Sequence, residues 1–186
     1  NLPGIHNVLN SLAVIAAATE MGIEFGSIVS TLSSFQGVRR RFELIAKIGG
    51  ISIIDDYAHH PSEISATINA ARKCGYKRLI VVFQPHLYSR TRDLLDQFVK
   101  SLLEADVVYV TDIYKAREEP IAGISSATIV EKMIERGHGN ASHVACKNDA
   151  IAALKGLVKE GDAVIMMGAG DIRDCAVMLA GELADA

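Results

Sequence analysis

Four clusters of polar residues stand out in this sequence of 186 residues. The densest is DDYAHHP at residues 55–61, where two carboxylates, a phenol and two imidazoles follow the apolar run ISII at 51–54. Such a set can exchange protons, bind a cation or position a polar ligand. The alternative is a strand-end turn in which Pro61 occupies the first turn of a helix, a position that proline favours.

The spacing of this cluster does not support metal binding. His59 and His60 are adjacent, so on an extended segment their rings point apart. The sequence has no HxxxH or CxxC pair with zinc-ligand spacing. We therefore predict no metal ligands, and a metal-dependent hydrolase that uses Asp55, Asp56, His59 and His60 is kept as a second hypothesis.

Two further clusters also follow apolar runs. In QPHLYSRTR, residues 84–92, Arg90 and Arg92 are either solvated side chains at a helix start or a grip for an anion. A guanidinium suits the second role because it forms paired hydrogen bonds with a carboxylate or a phosphate. The other cluster is TDIYKAREEPIAG at residues 111–123.

The fourth cluster, GAGDIRD at residues 168–174, begins with a glycine turn that can receive an anion. It departs from the dinucleotide motif GxGxxG because Arg173 occupies the third glycine position, which argues against a nicotinamide site. The sequence contains no GxxxxGKS/T phosphate loop. The short basic run RRR at 39–41 predicts an exposed corner.

Apolar runs and helical spacing alternate from residue 41 onward. The runs are short, β-branched and nearly all apolar, as in parallel strands covered on both faces. We predict an α/β fold with a doubly wound, mostly parallel sheet, and a hairpin through Gly49 and Gly50. The predicted strands are 42–48, 51–55, 78–83, 106–111, 142–145 and 162–168, and the predicted helices are 62–74, 91–104, 126–136, 148–159 and 171–184.

Two more helices are predicted before the sheet, at 6–22 and about 24–34. The first is apolar around most of its circumference, which predicts that it is buried. In open α/β sheets, ligands bind beyond the carboxyl ends of the strands, and all four polar clusters fall there. Together they predict one polar, arginine-bearing rim suited to a small anionic ligand.

Composition narrows the class of protein. The chain is 49% apolar and 22% charged, with a net charge of −3, which gives no general attraction to nucleic acid or to anionic membranes. No run of eighteen apolar residues and no signal peptide is visible. Cys74, Cys146 and Cys175 form no close pair, so we expect reduced thiols in a cytoplasmic protein.

Six stretches, taken in order, resemble the carboxyl-terminal part of a Mur ligase. DDYAHHP and FQPHLYSRT are specific to the alanine-adding members of that family. The stretches are PGIHNVLNSLAVIAAA (3–18), FQGVRRRFE (35–43), DDYAHHPSEI (55–64), VVFQPHLYSRT (81–91), EEPIAGISS (118–126) and GAGDI (168–172).

The resemblance implies an architecture and an activity. Residues 1–38 would be the last helices of the central ATP-binding domain, and residues 39–186 the Rossmann-like carboxyl-terminal domain. The implied reaction joins L-alanine to UDP-N-acetylmuramate through an acyl phosphate during peptidoglycan synthesis, with ATP and Mg²⁺. The UDP-sugar and most magnesium ligands would be held by other domains, so we expect this chain alone to be inactive.

The resemblance also implies residue roles. His6, Asn7 and Asn10 would line the adenine pocket, Arg41 would reach the nucleotide phosphates, with Arg40 less closely matched, and Asp56 would hold the ribose. Tyr57 and His59 would face L-alanine, and Arg90 would grip its carboxylate. His59 and Arg90 are thus the expected catalytic pair, with Asp55 and His60 supporting the loop.

One position departs from the family pattern. Many relatives have arginine where this chain has Leu87, so one anion contact would be absent or supplied by Tyr88 or Arg92. A stand-alone module that binds a nucleotide or an amino acid is the alternative to the ligase.

Overall fold

The computed structural model describes residues 2–185, so residues 1 and 186 at the outer ends of the two expected domains lie outside it. Six strands form one sheet in the order β1-β2-β6-β3-β4-β5, and every neighbouring pair is parallel except β1 with β2. The strands are β1 Glu43–Ile48, β2 Ile51–Asp56, β3 Arg78–Phe83, β4 Val107–Thr111, β5 Ala141–Val144 and β6 Asp162–Met167. The α/β prediction with a mostly parallel, doubly wound sheet is confirmed.

Helices cover both faces of this sheet. The helices are α1 Ile5–Glu20, α2 Phe25–Ser34, α3 Pro61–Arg72, α4 Tyr88–Asp93, α5 Leu95–Leu102, α6 Ala127–Glu135, α7 Lys147–Lys155 and α8 Arg173–Ala184. One apolar core lies under α3, α5 and α6, and a second lies under α7 and α8. Every residue of β2 and β6 is buried, and β6 is apolar at every position except Asp162, as in a strand covered on both faces.

The predicted hairpin is present and depends on two glycines. Gly49 and Gly50 join β1 to β2 with φ of 55° and 77°, a left-handed conformation that side chains disfavour. At Gly50 a Cβ would also lie 2.5 Å from Cγ of Glu160. The hairpin places the antiparallel strand β1 at the edge of the sheet.

Two helix predictions were wrong. The helix expected at 91–104 begins earlier, at Tyr88, and is divided into α4 and α5 by Leu94, whose φ of −114° and ψ of 16° are not helical. The helix expected to be buried, α1, has no buried residue, and Val8, Leu9 and Leu12 are each more than half exposed. Other helices already cover both sheet faces, and α1 packs against α2.

A buried carboxylate at the end of β2 ties three segments together. The side chain of Asp55 is fully buried, and its Oδ2 accepts hydrogen bonds from Nε of Arg40 at 3.3 Å and from Nη1 of Arg173 at 2.7 Å. Arg173 also donates to both carboxylate oxygens of Glu43, at 2.6 and 3.0 Å. The segment before β1, the end of β2 and the start of α8 are therefore held by one set of ion pairs.

Arg40 extends this network to the turn after β6. Its Nη2 donates to the carbonyl oxygens of Gly168 at 2.7 Å and of Gly170 at 3.1 Å. The expectation of an exposed RRR corner is thus wrong for Arg40, because its donors bind the buried Asp55 and these two carbonyl oxygens. Arg39 and Arg41 are exposed, as expected. The glycine turn presents carbonyl groups to a cation here.

We expect amide hydrogen exchange to follow this layering. Amides of residues 79–83 and 163–167 should exchange slowest, because they lie in central strands covered on both faces. Amides of α1 should exchange much faster, since no residue of that helix is buried. Exchange measured peptide by peptide tests this, and equally fast exchange in the two central strands would contradict the fold.

We also expect Glu43→Gln to destabilise the protein in a pH-dependent way. The hydrogen bonds from Arg173 lower the pKa of Glu43 from 4.5 to about 2. The carboxylate therefore contributes stability above pH 4.5 that is lost as the pH falls towards 2. At pH 7 the substitution should lower the free energy of unfolding by about 1.5–3 kcal/mol, the usual range for hydrogen bonds to charged groups.

Urea unfolding between pH 7 and pH 2.5 measures this effect. The difference between Glu43→Gln and the unsubstituted chain should shrink steadily below pH 4.5. Glu20→Gln is the matched control, because it removes an exposed carboxylate on α1. A destabilisation by Glu43→Gln that stays constant over the whole pH range would show that Arg173 does not depend on the charge of Glu43.

Candidate functional site

A cavity of about 820 Å³ lies between α1, α2 and α3 at the end of β2, and we call it the α3 cavity. It contains all five residues that were expected to bind ATP: His6, Asn7, Asn10, Arg41 and Asp56. The remaining lining includes apolar side chains such as Phe35 and Ala66. The cavity therefore combines a partly apolar lining with amide, imidazole and guanidinium groups, a combination that suits a heteroaromatic base with attached anionic groups.

Asp56 is the buried acid of the α3 cavity. It is 5% exposed, and its two carboxylate oxygens accept hydrogen bonds from the backbone amides of Ala58 at 2.8 Å and Phe42 at 2.9 Å. Burial raises the pKa of Asp56, although these two hydrogen bonds oppose that rise. A carboxylate has about four acceptor positions, so the two amides fix its orientation and leave acceptor capacity for a hydroxyl.

Arg41 is the available guanidinium in the α3 cavity. Its side chain is 55% exposed, and its ion pair with Glu63 is long, at 3.7 Å. The neighbouring Arg40, in contrast, is held by Asp55 and two carbonyl oxygens. Of these two arginines, Arg41 is the one with donors free to meet an anion that enters the cavity.

The second group of expected residues lies on the other side of DDYAHHP, in what we call the aromatic cluster: Tyr57, His59, His86 and Tyr114. The rings of Tyr57 and His59 meet edge to face at 5.2 Å, and those of His59 and His86 meet at 6.0 Å. His86 stacks on Tyr114 at 5.7 Å, with 16° between the ring planes. The guanidinium of Arg40 lies over the Tyr57 ring, 4.8 Å from its centroid.

His59 is held by contacts within its own loop. Its Nδ1 donates to the carbonyl oxygen of Tyr57 at 2.9 Å and lies 3.3 Å from Oε2 of Glu63. His60 caps α3 through its Nδ1, and Glu63 accepts from the backbone amide of His60 in return, which completes a capping box. His60 thus supports the loop, as expected.

Arg90 has an unsatisfied donor. Its Nη1 is buried without a hydrogen-bond partner, and so is Nδ1 of His86. Burial lowers the pKa of His86, and the charges of Arg90 and His59 lower it further, against the opposing effect of Glu118. A buried, unpaired guanidinium nitrogen is costly, so this position gains most from an anion that completes it.

The turn that leads into α4, the helix that carries Arg90, is held in a strained conformation. Leu87 has φ of 73°, and its backbone amide donates to the carbonyl oxygen of Tyr114 at 3.0 Å. Glu118 accepts from the backbone amide of Ser89 at 3.0 Å and from its hydroxyl. Arg92, which was considered as a substitute for the missing family arginine, is 51% exposed and paired with Asp93.

Sequence reasoning did not assign roles to several residues that this geometry brings together. His86, Tyr114 and Glu118 all lie inside polar clusters that follow strands, and that position was the available signal. Gly170 is required because a Cβ there would meet Oε1 of Gln84 and the ring of Tyr114. Only the folded structure shows that TDIYKAREEPIAG and GAGDIRD pack against QPHLYSRTR and support it.

Residues 2–185 bring no three His, Cys, Asp or Glu side chains together as metal ligands. The metal-dependent hydrolase hypothesis therefore lacks a ligand set in this part of the chain. Within the same residues, no helix is both long and apolar enough to span a membrane.

Comparison with known proteins identifies the family. Residues 40–170 match the family described as Mur ligase, glutamate ligase domain. The whole chain is 44% identical to 41% of the UDP-N-acetylmuramate–L-alanine ligase of Geotalea daltonii, and 94% of it is 47% identical to 38% of the corresponding Sorangium cellulosum protein. The chain thus spans about two fifths of the length of these relatives.

A solved structure agrees with this match. The crystal structure of UDP-N-acetylmuramate–alanine ligase from Thermotoga maritima superposes with a TM-score of 0.84 and 30% identity, over 99% of this chain and 39% of that one. The family resemblance noted in the polar clusters is confirmed, and so is the Rossmann-like fold that it implied. The chain belongs to the Mur ligase family.

Proposed function

We propose that this chain is part of an ATP-dependent ligase that joins L-alanine to UDP-N-acetylmuramate, and that it supplies surfaces for ATP and for L-alanine. The observation that carries the proposal is the division of DDYAHHP between two sites. Asp56 lines the α3 cavity, whereas Tyr57 and His59 belong to the aromatic cluster. Successive residues at a strand end point to opposite faces, so one short segment serves two ligands.

The α3 cavity is proposed as the ATP side. Asn7 and Asn10 would offer amide groups to the adenine, Asp56 would accept from the ribose hydroxyls, and Arg41 would meet the phosphates. Arg41 lies in the exposed segment between α2 and β1, where a guanidinium can move with a closing domain. The domain boundary expected near residue 38 falls in this same segment and stays a prediction.

The aromatic cluster and Arg90 are proposed as the L-alanine side. The buried, unpaired Nη1 of Arg90 suits the carboxylate of an amino acid, because a charge-assisted hydrogen bond would satisfy it. The rings of His59 and His86 would bound a space suited to a small side chain. L-alanine is small, so its carboxylate provides a large share of its recognition.

Such a site fits a reaction governed by positioning and charge. In the proposed sequence, the sugar carboxylate attacks the γ-phosphate of ATP, and the amine of L-alanine then displaces phosphate from the acyl phosphate. The Mg²⁺ that accompanies ATP would be held largely by the nucleotide's own phosphates and by residues of other domains. This chain's own residues bind, orient and enclose the two small substrates.

A chimera tests the proposal. This chain would replace the matching 41% of the Geotalea daltonii ligase, to which it is 44% identical. We expect phosphate release that requires ATP, UDP-N-acetylmuramate and L-alanine together, and no release from this chain alone. A chimera that folds and binds ATP but shows no L-alanine-dependent release would contradict the proposed function and favour the stand-alone module.

Two substitutions in the chimera should separate the two sites. Arg90→Ala should raise the KM for L-alanine by tens- to several-hundred-fold, equivalent to about 2–4 kcal/mol, because a charge-assisted contact in a closed site is lost. The KM for ATP should change little. Asp56→Asn should show the reverse pattern, with ATP affected more than L-alanine.

Arg92→Ala is the matched control for Arg90→Ala. It removes another arginine of α4, and the side chain of Arg92 is exposed and paired with Asp93. The KM values for ATP and for L-alanine should therefore stay near those of the unsubstituted chimera. Steady-state kinetics with each substrate varied in turn measure the KM values for ATP and for L-alanine in all three variants. Equal effects of Arg90→Ala and Asp56→Asn on both substrates would rule out two separate sites.

A further inference from the structure

We propose that His86 is the proton acceptor that converts the α-ammonium group of the bound amino acid into the nucleophilic amine. This inference rests on the proposed function, since it requires an amino acid held by Arg90. It names a catalytic group that is distinct from His59, the histidine that the sequence singled out. The two histidines share the aromatic cluster but have different environments.

The ring of His86 has a free nitrogen inside the site. Its Nδ1 is buried and has no hydrogen-bond partner. In the neutral tautomer that carries its proton on Nε2, Nδ1 is the acceptor and can receive a proton. His59 is less suited to the task, because its Nδ1 is occupied by the Tyr57 carbonyl oxygen and by Glu63.

The position of this ring is fixed from two directions. Tyr114 stacks on one face with only 16° between the planes. The backbone around His86 forms a short bridge with the backbone of Tyr114, and the amide of Tyr114 donates to the carbonyl oxygen of Pro85 at 2.8 Å. A base that is held in place in this way can meet an amino group without reorganising the site.

The charged groups around His86 favour its neutral form. Arg90 and His59 face it from α4 and from the DDYAHHP loop, and Glu118 is the opposing carboxylate. Glu118 is engaged by the backbone amide and hydroxyl of Ser89. Burial and the two basic neighbours lower the pKa of His86 from its ordinary value of 6.5, which favours the neutral ring. The charge of Arg90 would also favour loss of a proton from a neighbouring ammonium.

The proposed step conserves atoms and charge. An ammonium nitrogen has no lone pair, so one of its protons passes to His86 before attack. The amine lone pair then forms the C–N bond with the carbonyl carbon of the acyl phosphate, and the C–O bond to phosphate breaks with its electron pair on phosphate. A second nitrogen proton passes to the departing phosphate, which leaves a neutral amide, and His86 returns its proton to water.

Kinetics of the chimera with His86→Asn test this step. Because general-base catalysis contributes about 10²–10⁴-fold, kcat should fall within that range while the KM for L-alanine changes only a few-fold. The acidic limb of kcat/KM should disappear, since its cause is protonation of His86. His60→Asn is the control: His60 caps α3, asparagine is a good capping residue, and the pH profile should be retained.

The outcomes separate this inference from the function on which it rests. If the unsubstituted chimera shows no L-alanine-dependent phosphate release, both fail. If it turns over and His86→Asn keeps its kcat and its acidic limb, only the role of His86 fails.

A second measurement uses this chain as it stands and does not depend on a variant. NMR titration of the histidine rings should place the pKa of His86 below the ordinary value of 6.5. Saturating L-alanine should shift the His86 ring signals more than those of His60. A pKa for His86 above 6.5, or no response to L-alanine at concentrations that shift Arg90, would overturn the inference.

Discussion

The arrangement of the candidate site depends on how one buried carboxylate is neutralised. Asp55 has no solvent-exposed side-chain surface, and an isolated charge in that position would be strongly destabilising. Arg40 reaches it from the segment before β1, and Arg173 reaches it from the start of α8. Both guanidinium groups meet the same oxygen, so neither segment can move without disturbing the other.

The pleat of β2 then determines which face of the sheet each neighbouring residue lies on. Asp55 lies on the face covered by α8, with Ile53, and Asp56 lies on the face covered by α3, with Ile54. Beyond the strand, the backbone amide of Tyr57 donates to the carbonyl oxygen of Arg40 at 2.7 Å. The same short segment is therefore anchored on one face and available to the α3 cavity on the other.

Strained backbone conformations occur close to Asp55 and just before the helix that carries Arg90. Arg40, Phe42 and Leu87 have φ of 59°, 49° and 73°, values that residues other than glycine rarely adopt. Each is held by nearby hydrogen bonds: Arg40 by Glu43, Phe42 by Asp56, and Leu87 by Tyr114. Strain of this kind persists where surrounding contacts over-determine the backbone, as they do at binding sites.

The sequence predicted the sheet well because its strands are short apolar runs separated by helical segments, a pattern set by burial on both faces. Local patterns were less informative where contacts are long-range. The RRR run gave no sign that Arg40 would pair with Asp55, fifteen positions away. The apolar circumference of α1 indicated burial, but none of its residues is buried. His86 lay within a recognised cluster, yet its free Nδ1 is visible only once Tyr114 and Arg90 are placed around it.

The most direct test of the central role of Asp55 is amide hydrogen exchange of Asp55→Asn compared with the unsubstituted chain. Asparagine keeps the shape of the side chain and removes the charge that both arginines neutralise. We predict faster exchange in two segments that are distant in sequence, 39–43 and 168–173, with no change in β4 and β5. Faster exchange confined to residues 55–57, with 168–173 unaffected, would contradict the account.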